Sequence, residues 1–92
     1  MTLTESQIWI RSNYYDLIAL GWQQIQQHSG NTSRVTLTDG IKLFMELQTQ
    51  EEALPVMMVA YSIAHKNINT DEDRNISKLI SEAMMNRFNN LN

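Results

Sequence analysis

The chain has no cysteine and only one proline, and it has no long apolar run. Without cysteine there can be neither a disulfide framework nor a thiolate zinc site. The longest apolar run, from Val56 to Tyr61, is far shorter than the roughly 20 residues that cross a bilayer. The start of the sequence is polar, with Glu5 where a signal peptide would be basic. We therefore expect a cytoplasmic protein with no membrane span.

Positive charge is also scarce and dispersed. Lys and Arg number 7 against 10 Asp and Glu, so the formal net charge is −3. The basic residues do not form the clustered stripe with which nucleic-acid-binding surfaces neutralise phosphates. Nucleic acid is therefore not an expected partner. The alternative function is that of a transcriptional regulator that associates with nucleic acid. It is favoured only if the fold brings four basic residues into one patch: Arg11, Arg34, Arg74 and Lys78.

The composition of the chain is typical of one small globular domain, which we expect to span residues 1–92. Hydrophobic residues make up 42% of the chain and charged residues 18%, which is within the globular range. A domain this short buries roughly 60–65% of the surface that its unfolded chain exposes. It can fold alone, but with little excess stability.

Threonine recurs four times with a carboxylate or amide three residues later, a spacing typical of helix N-terminal caps. The pairs are Thr4/Gln7, Thr36/Asp39, Thr49/Glu52 and Thr70/Asp73. Four candidate starts predict an all-α protein, a compact bundle of about four helices.

The first predicted helix runs from about Glu5 to His28 and ends before Gly30, which can take the left-handed conformation of a C-terminal cap. Its main apolar stripe, at helical spacing, consists of Tyr15, Ile18, Trp22 and Ile25. Trp9 and Leu20 fall on the far side. A helix that is apolar over more than half its circumference is either central to the fold or buried against a second chain.

The two C-terminal helices have clear patterns. One spans about Gln50 to Lys66 and is apolar nearly all round, which predicts the central buried helix; Pro55 should kink its first turns or mark its true start. The other spans about Asp71 to Asn89, with acidic residues in its first turn. Its expected core stripe is Ile76, Leu79, Ile80, Ala83, Met84, Arg87, Phe88 and Leu91.

The segment 34–48 allows two interpretations. A helix from Thr38 is favoured by the helix-forming residues that follow Gly40. A hairpin, with Asp39 and Gly40 as its turn between alternating apolar residues, is the alternative, and it would make the protein α+β.

No catalytic or metal-binding motif is recognisable. His28 and His65 stand alone, and each lies near a predicted helix end. The acidic residues from Asp71 to Glu82 resemble a calcium loop, but Ile76 stands where the sharp turn needs glycine. We therefore predict a non-enzymatic protein without metal or cofactor. A small enzyme whose site is assembled only in space is the third possibility.

Three large apolar residues fall outside the predicted apolar stripes, and one small core is not expected to accommodate them as well. We therefore take them as the candidate protein interface: Trp9, Leu20 and Met85. They predict a small regulatory protein that works through protein–protein interaction, covering or bridging a partner of unknown identity. Such a protein could be an adaptor, an antitoxin- or immunity-like neutraliser, or a mobile-element inhibitor. A homodimer is the expected assembly, since two-fold dimers are the commonest closed oligomers.

Overall fold

A computed structural model describes residues 5–92, and this part of the chain contains helices but no strand. The five helices are α1 (Glu5–Ser12), α2 (Tyr14–Ser29), α3 (Leu37–Glu46), α4 (Gln50–Lys66) and α5 (Asp71–Asn89). The all-α prediction is confirmed. The helix count exceeds four because the first predicted helix is divided into two.

The division falls at Asn13, whose φ of −108° and ψ of 14° leave the helical path. Its side-chain amide donates to the carbonyl oxygen of Trp9 at 2.8 Å, and its backbone N–H donates to the same oxygen at 3.0 Å. Asparagine competes in this way for helical backbone groups, and periodicity alone does not reveal it. The prediction of one continuous helix was wrong. Its predicted C-terminal cap is confirmed, because Gly30 has a φ of 75°.

Three of the four predicted threonine caps are formed. The hydroxyl oxygens of Thr36, Thr49 and Thr70 each accept from the N–H three residues later, at 3.2, 3.2 and 3.0 Å. Asp73 completes a capping box by accepting from the backbone N–H of Thr70 at 3.2 Å. The fourth pair begins at Thr4, which lies outside the described residues. The caps fix the starts of α3, α4 and α5.

The ambiguous segment is helical. Asp39 and Gly40 lie in the first turns of α3, and the N–H of Gly40 donates to the carbonyl of Thr36 at 3.1 Å. The hairpin alternative was wrong, because the Thr36 cap and the helical hydrogen bond of Gly40 place Asp39 and Gly40 in a helix and not in a turn.

The central helix is α4, as predicted, and α2, α3 and α5 all pack against it. Pro55 lies inside α4 and does not mark its start. Opposite it, Gly21 brings α2 so close that an added Cβ would lie 2.6 Å from the Pro55 carbonyl carbon. Glycine at this position therefore sets the distance between the two helices.

Most of the apolar stripe predicted for α5 faces the core. Met84 is buried, and Ile80, Phe88 and Leu91 pack against the core. Ile76 and Leu79 are instead exposed by 48% and 65%. The buried residues that the predicted stripe lacks are Ser77 and Ser81.

The stripe predicted for the first helix is confirmed in part, because Ile25 is buried and Ile18 packs against the core. Leu17, Gly21 and Ile25 are the buried residues of α2. Tyr15 is exposed by 85% and Trp22 by 40%. The close contact at Gly21 turns this face of α2 toward α4, so the two aromatic rings lie at its side.

Side-chain hydrogen bonds link the C-terminal end of α5 to the end of α3 and the start of α4. The Arg87 guanidinium donates to the carbonyl oxygens of Met45 and Leu47, both at 2.8 Å. The Gln50 side chain donates to the carbonyl of Phe88 at 3.0 Å. These bonds place the end of α5 beside the start of α4, so the two helices run antiparallel. None of the described helices is both long enough and apolar enough to span a bilayer.

Candidate functional site

The three predicted interface residues are all on the surface. Trp9 is exposed by 53%, Leu20 by 43% and Met85 by 42%. Trp9 and Met85 line the same groove, although they lie on α1 and α5. Leu20 lies on α2 and does not line it. The structure thus brings two of the three together.

This cavity, here called the α1 groove, has a volume of about 800 Å³ and opens between α1, α4 and α5. Its walls are mainly large apolar side chains, with two carboxylates and two amides beside them. The lining residues are Glu5, Trp9, Ile10, Gln50, Glu51, Leu54, Met57, Met85, Phe88 and Asn89.

The groove exists because α1 stands apart from the central helices. Among the described helices, only α2 comes close to the backbone of α1. The break at Asn13 lets α1 leave the axis of α2 and lie over the start of α4 and the end of α5. Ile8 and Trp9 on α1 therefore remain half exposed and are not covered by the protein's own core.

Two methionines give the groove adaptable walls. Met57 is 7% exposed and belongs to the core, whereas Met85 projects from α5 at the edge of the groove. Unbranched, polarizable methionine side chains can repack around different apolar partners. The α1 groove therefore combines a fixed floor with a deformable edge.

A second cavity, here called the basic recess, continues beyond Met85 along the same face of α4 and α5. It measures about 550 Å³, and its lining residues are Tyr61, His65, Ile68, Arg74, Lys78, Ser81, Glu82 and Met85. Neither Arg74 nor Lys78 forms an ion pair with any residue between 5 and 92. The recess thus holds two cationic side chains against the single carboxylate of Glu82.

His65 is part of this recess. Its ring lies 4.4 Å from that of Tyr61, and its Nε2 is 3.4 Å from the hydroxyl of Ser81. A histidine that activates a serine is normally oriented by a third group on its other nitrogen. No residue of the described chain makes that hydrogen bond, so the contact serves as a link between α4 and α5.

The other histidine also has a structural contact. His28 Nε2 lies 2.5 Å from a carboxylate oxygen of Glu46, which joins the end of α2 to the end of α3. In residues 5–92, no three His, Cys, Asp or Glu side chains lie close enough together to hold a metal ion. The calcium-like pattern from Asp71 to Glu82 lies within the continuous helix α5.

The nucleic-acid alternative requires four basic residues in one patch, and the structure places only two of them in the same cavity. Arg74 and Lys78 line the basic recess, whereas Arg11 and Arg34 do not. The condition for that alternative is therefore met only in part.

Sequence reasoning missed most of the groove. Met57 and Phe88 were interpreted only as core and Leu54 was not singled out, although all three line the groove. A usable signal was present in α4, where Leu54, Met57, Tyr61 and His65 recur at helical spacing and so share one face. What the sequence does not show is that α5 adds Arg74, Lys78 and Met85 to that same face.

No protein-family model, curated protein or solved structure matches this chain. The argument about function therefore rests on the geometry and chemistry of the α1 groove and the basic recess.

Proposed function

We propose that this is a non-enzymatic, cytoplasmic interaction protein that binds another protein chain through the α1 groove. The observation that carries the proposal is an apolar groove with Trp9 and Met85 half exposed at its edges. Exposed apolar surface concentrated in a groove, with polar residues beside it, is typical of protein-binding sites.

The lining residues suit a helical or extended segment of a partner. Aromatic side chains and methionine are enriched at the cores of protein interfaces, and the groove supplies both. A large apolar side chain that leaves water for such a groove contributes about 1.5–3 kcal/mol before the costs of association.

The role we propose is regulation by covering or bridging a partner. A chain of 92 residues with a net charge of −3 is of the size and charge expected for adaptors and for neutralising proteins of the antitoxin or immunity type. Inhibitors encoded by mobile elements act in the same way. The groove supports this class because it is a cavity of about 800 Å³ with mainly apolar walls.

A matched pair of variants tests the proposal. Met85→Lys places a charge at the edge of the α1 groove, and Met45→Lys places the same charge on another exposed methionine, which is 55% exposed and does not line the groove. We expect both variants to fold, since both side chains lie at the surface. The tagged proteins are used to capture partners, including an untagged second copy of this chain, from an extract of the native host.

The proposal predicts that partners retained by the parent and by Met45→Lys are lost with Met85→Lys. If all three proteins retain the same partners in the same amounts, the groove is not the binding surface and the proposed function is wrong.

A further inference from the structure

We infer that the partner segment bound in the α1 groove is an amphipathic helix of a different protein, with Lys or Arg on both sides of its apolar face. This inference rests on the proposed function, because it gives the chemistry of the partner of that same groove. It is carried by the charges of the groove walls and by the kind of backbone that an apolar groove accepts.

The walls of the groove carry negative charge. Glu5 lines it from α1 and Glu51 from α4, and of the described residues that line it none is Lys, Arg or His. Both carboxylates are exposed, and the ion pair described in residues 5–92 joins His28 to Glu46 and involves neither of them. A bound segment with Lys or Arg beside its apolar side chains would therefore meet charges of opposite sign.

The cations of the neighbouring helical turns do not offset this charge. Arg11 lies two residues beyond Trp9 and so on nearly the opposite side of α1. Arg87 lies two residues beyond Met85, and its guanidinium donates to carbonyl oxygens at the end of α3. Both cations of the basic recess lie at least about 10 Å from Met85 along α5, where exposed charges are largely screened at physiological salt. Glu82, one turn before Met85, adds a further carboxylate.

Each carboxylate of the groove lies one helical turn from a large apolar residue of the same wall. Glu5 is four residues before Trp9 on α1, and Glu51 is three residues before Leu54 on α4. Residues at these spacings are neighbours on one face of a helix. A partner helix with apolar side chains at positions i, i+3, i+4 and i+7, and with cations one turn away from them, has the matching pattern.

A helix suits the groove better than an extended segment does. An extended segment would bring unpaired backbone N–H and C=O groups into apolar surroundings, which costs free energy. The described walls are helices and present no strand edge with which those groups could pair. The side-chain amide of Gln50 already donates to the carbonyl of Phe88. A helix pairs its own backbone groups and presents only side chains to the groove.

A second copy of this chain does not supply such a segment. None of the described helices contains more Lys and Arg than Asp and Glu. Even α5, which has the most cations, carries three basic residues against four acidic ones. The cationic helix is therefore expected from a different protein.

Three synthetic peptides of about 18 residues, or about five helical turns, test the chemistry of the occupant. All have the same leucine face, and their polar face consists of Lys, Gln or Glu. Each is titrated into the purified full chain by isothermal calorimetry at physiological salt. We expect the Lys peptide to bind at least ~10-fold more tightly than the Gln peptide, and the Glu peptide to bind most weakly.

Two variants with the same net charge locate the binding. Glu51→Lys reverses a charge that lines the groove, whereas Glu52→Lys makes the same change in the same helical turn beside Gln24 and Leu43, in a different crevice. Relative to Glu52→Lys, Glu51→Lys should bind the Lys peptide ~3- to 10-fold more weakly and the Glu peptide more tightly. Circular dichroism checks that both variants are folded.

The inference is overturned if the Gln or Glu peptide binds as tightly as the Lys peptide, if no peptide binds at high micromolar concentration, or if the two variants have equal effects. It is also overturned if sedimentation velocity shows a parent dimer that Met85→Lys dissociates, because a second copy then occupies the groove. In each case, a captured protein that Met85→Lys loses and Met45→Lys retains would leave the proposed function standing.

Discussion

Replacing Gly21 by alanine should lower the free energy of unfolding by about 2–3 kcal/mol, although alanine is the better helix former. An added Cβ would lie 2.6 Å from the Pro55 carbonyl carbon and 2.8 Å from Cγ2 of Val59. The Pro55 carbonyl belongs to the backbone of α4 and cannot rotate away, so α2 must shift. That shift would loosen the central pair of helices.

Gly40→Ala is the matched control, because it also introduces a methyl group into a buried helical glycine. The nearest atoms to its new Cβ are the Ala60 Cβ at 3.3 Å and the Ile25 Cδ1 at 3.4 Å, and the latter is the end of a flexible side chain. We expect a change within about 1 kcal/mol. Urea titration followed by circular dichroism measures both variants. A Gly21→Ala protein as stable as its parent would show that α2 and α4 are not in this close contact.

The second large loss of folding stability is expected from a substitution at Phe44. Phe44 is the largest of the fully buried side chains in the described structure. Phe44→Ala should cost about 3–5 kcal/mol, because the substitution removes buried apolar surface and leaves a cavity. The Arg87 guanidinium, 6.0 Å from the ring centroid, also loses a neighbour. A domain of this length has a total stability of only about 5–14 kcal/mol.

The neighbouring Met45 provides the control, since it lies on the same helix and is 55% exposed. Met45→Ala should change the free energy of unfolding by no more than about 0.5 kcal/mol. Thermal and urea unfolding of the two variants are compared under identical conditions. Equal losses at both positions would contradict the placement of Phe44 in the core.

The features that the sequence predicted well are local. The bounds of α4 and α5 agree with the prediction because their threonine caps and acidic first turns lie within a few residues of each other. The Gly30 cap is local in the same sense. Signals of this kind need no knowledge of the tertiary structure.

The features that were missed depend on contacts between distant segments. Ser77 and Ser81 are buried together with Met84, and an apolar stripe containing Leu79 gives no sign of that. At Asn13 the side-chain amide bonds the Trp9 carbonyl and the backbone leaves the helical path. Both are packing or hydrogen-bonding effects that periodicity does not encode.

The candidate site was predictable only as separate residues. Trp9, Leu20 and Met85 were expected at the surface, and the structure exposes all three. Their grouping depends on where α1 lies relative to the end of α5, which no spacing in the sequence reveals.

The most direct test of binding through the α1 groove is the fluorescence of Trp9 in a Trp22→Phe variant, where it is the only tryptophan. Trp9 lines the α1 groove, whereas Trp22 lines a different crevice beside Ile18 and Val35. When a partner captured by the parent protein is titrated in, we expect the emission maximum to move to shorter wavelength because the partner removes water from the indole ring. An emission maximum that stays constant up to saturation of the complex would contradict the account.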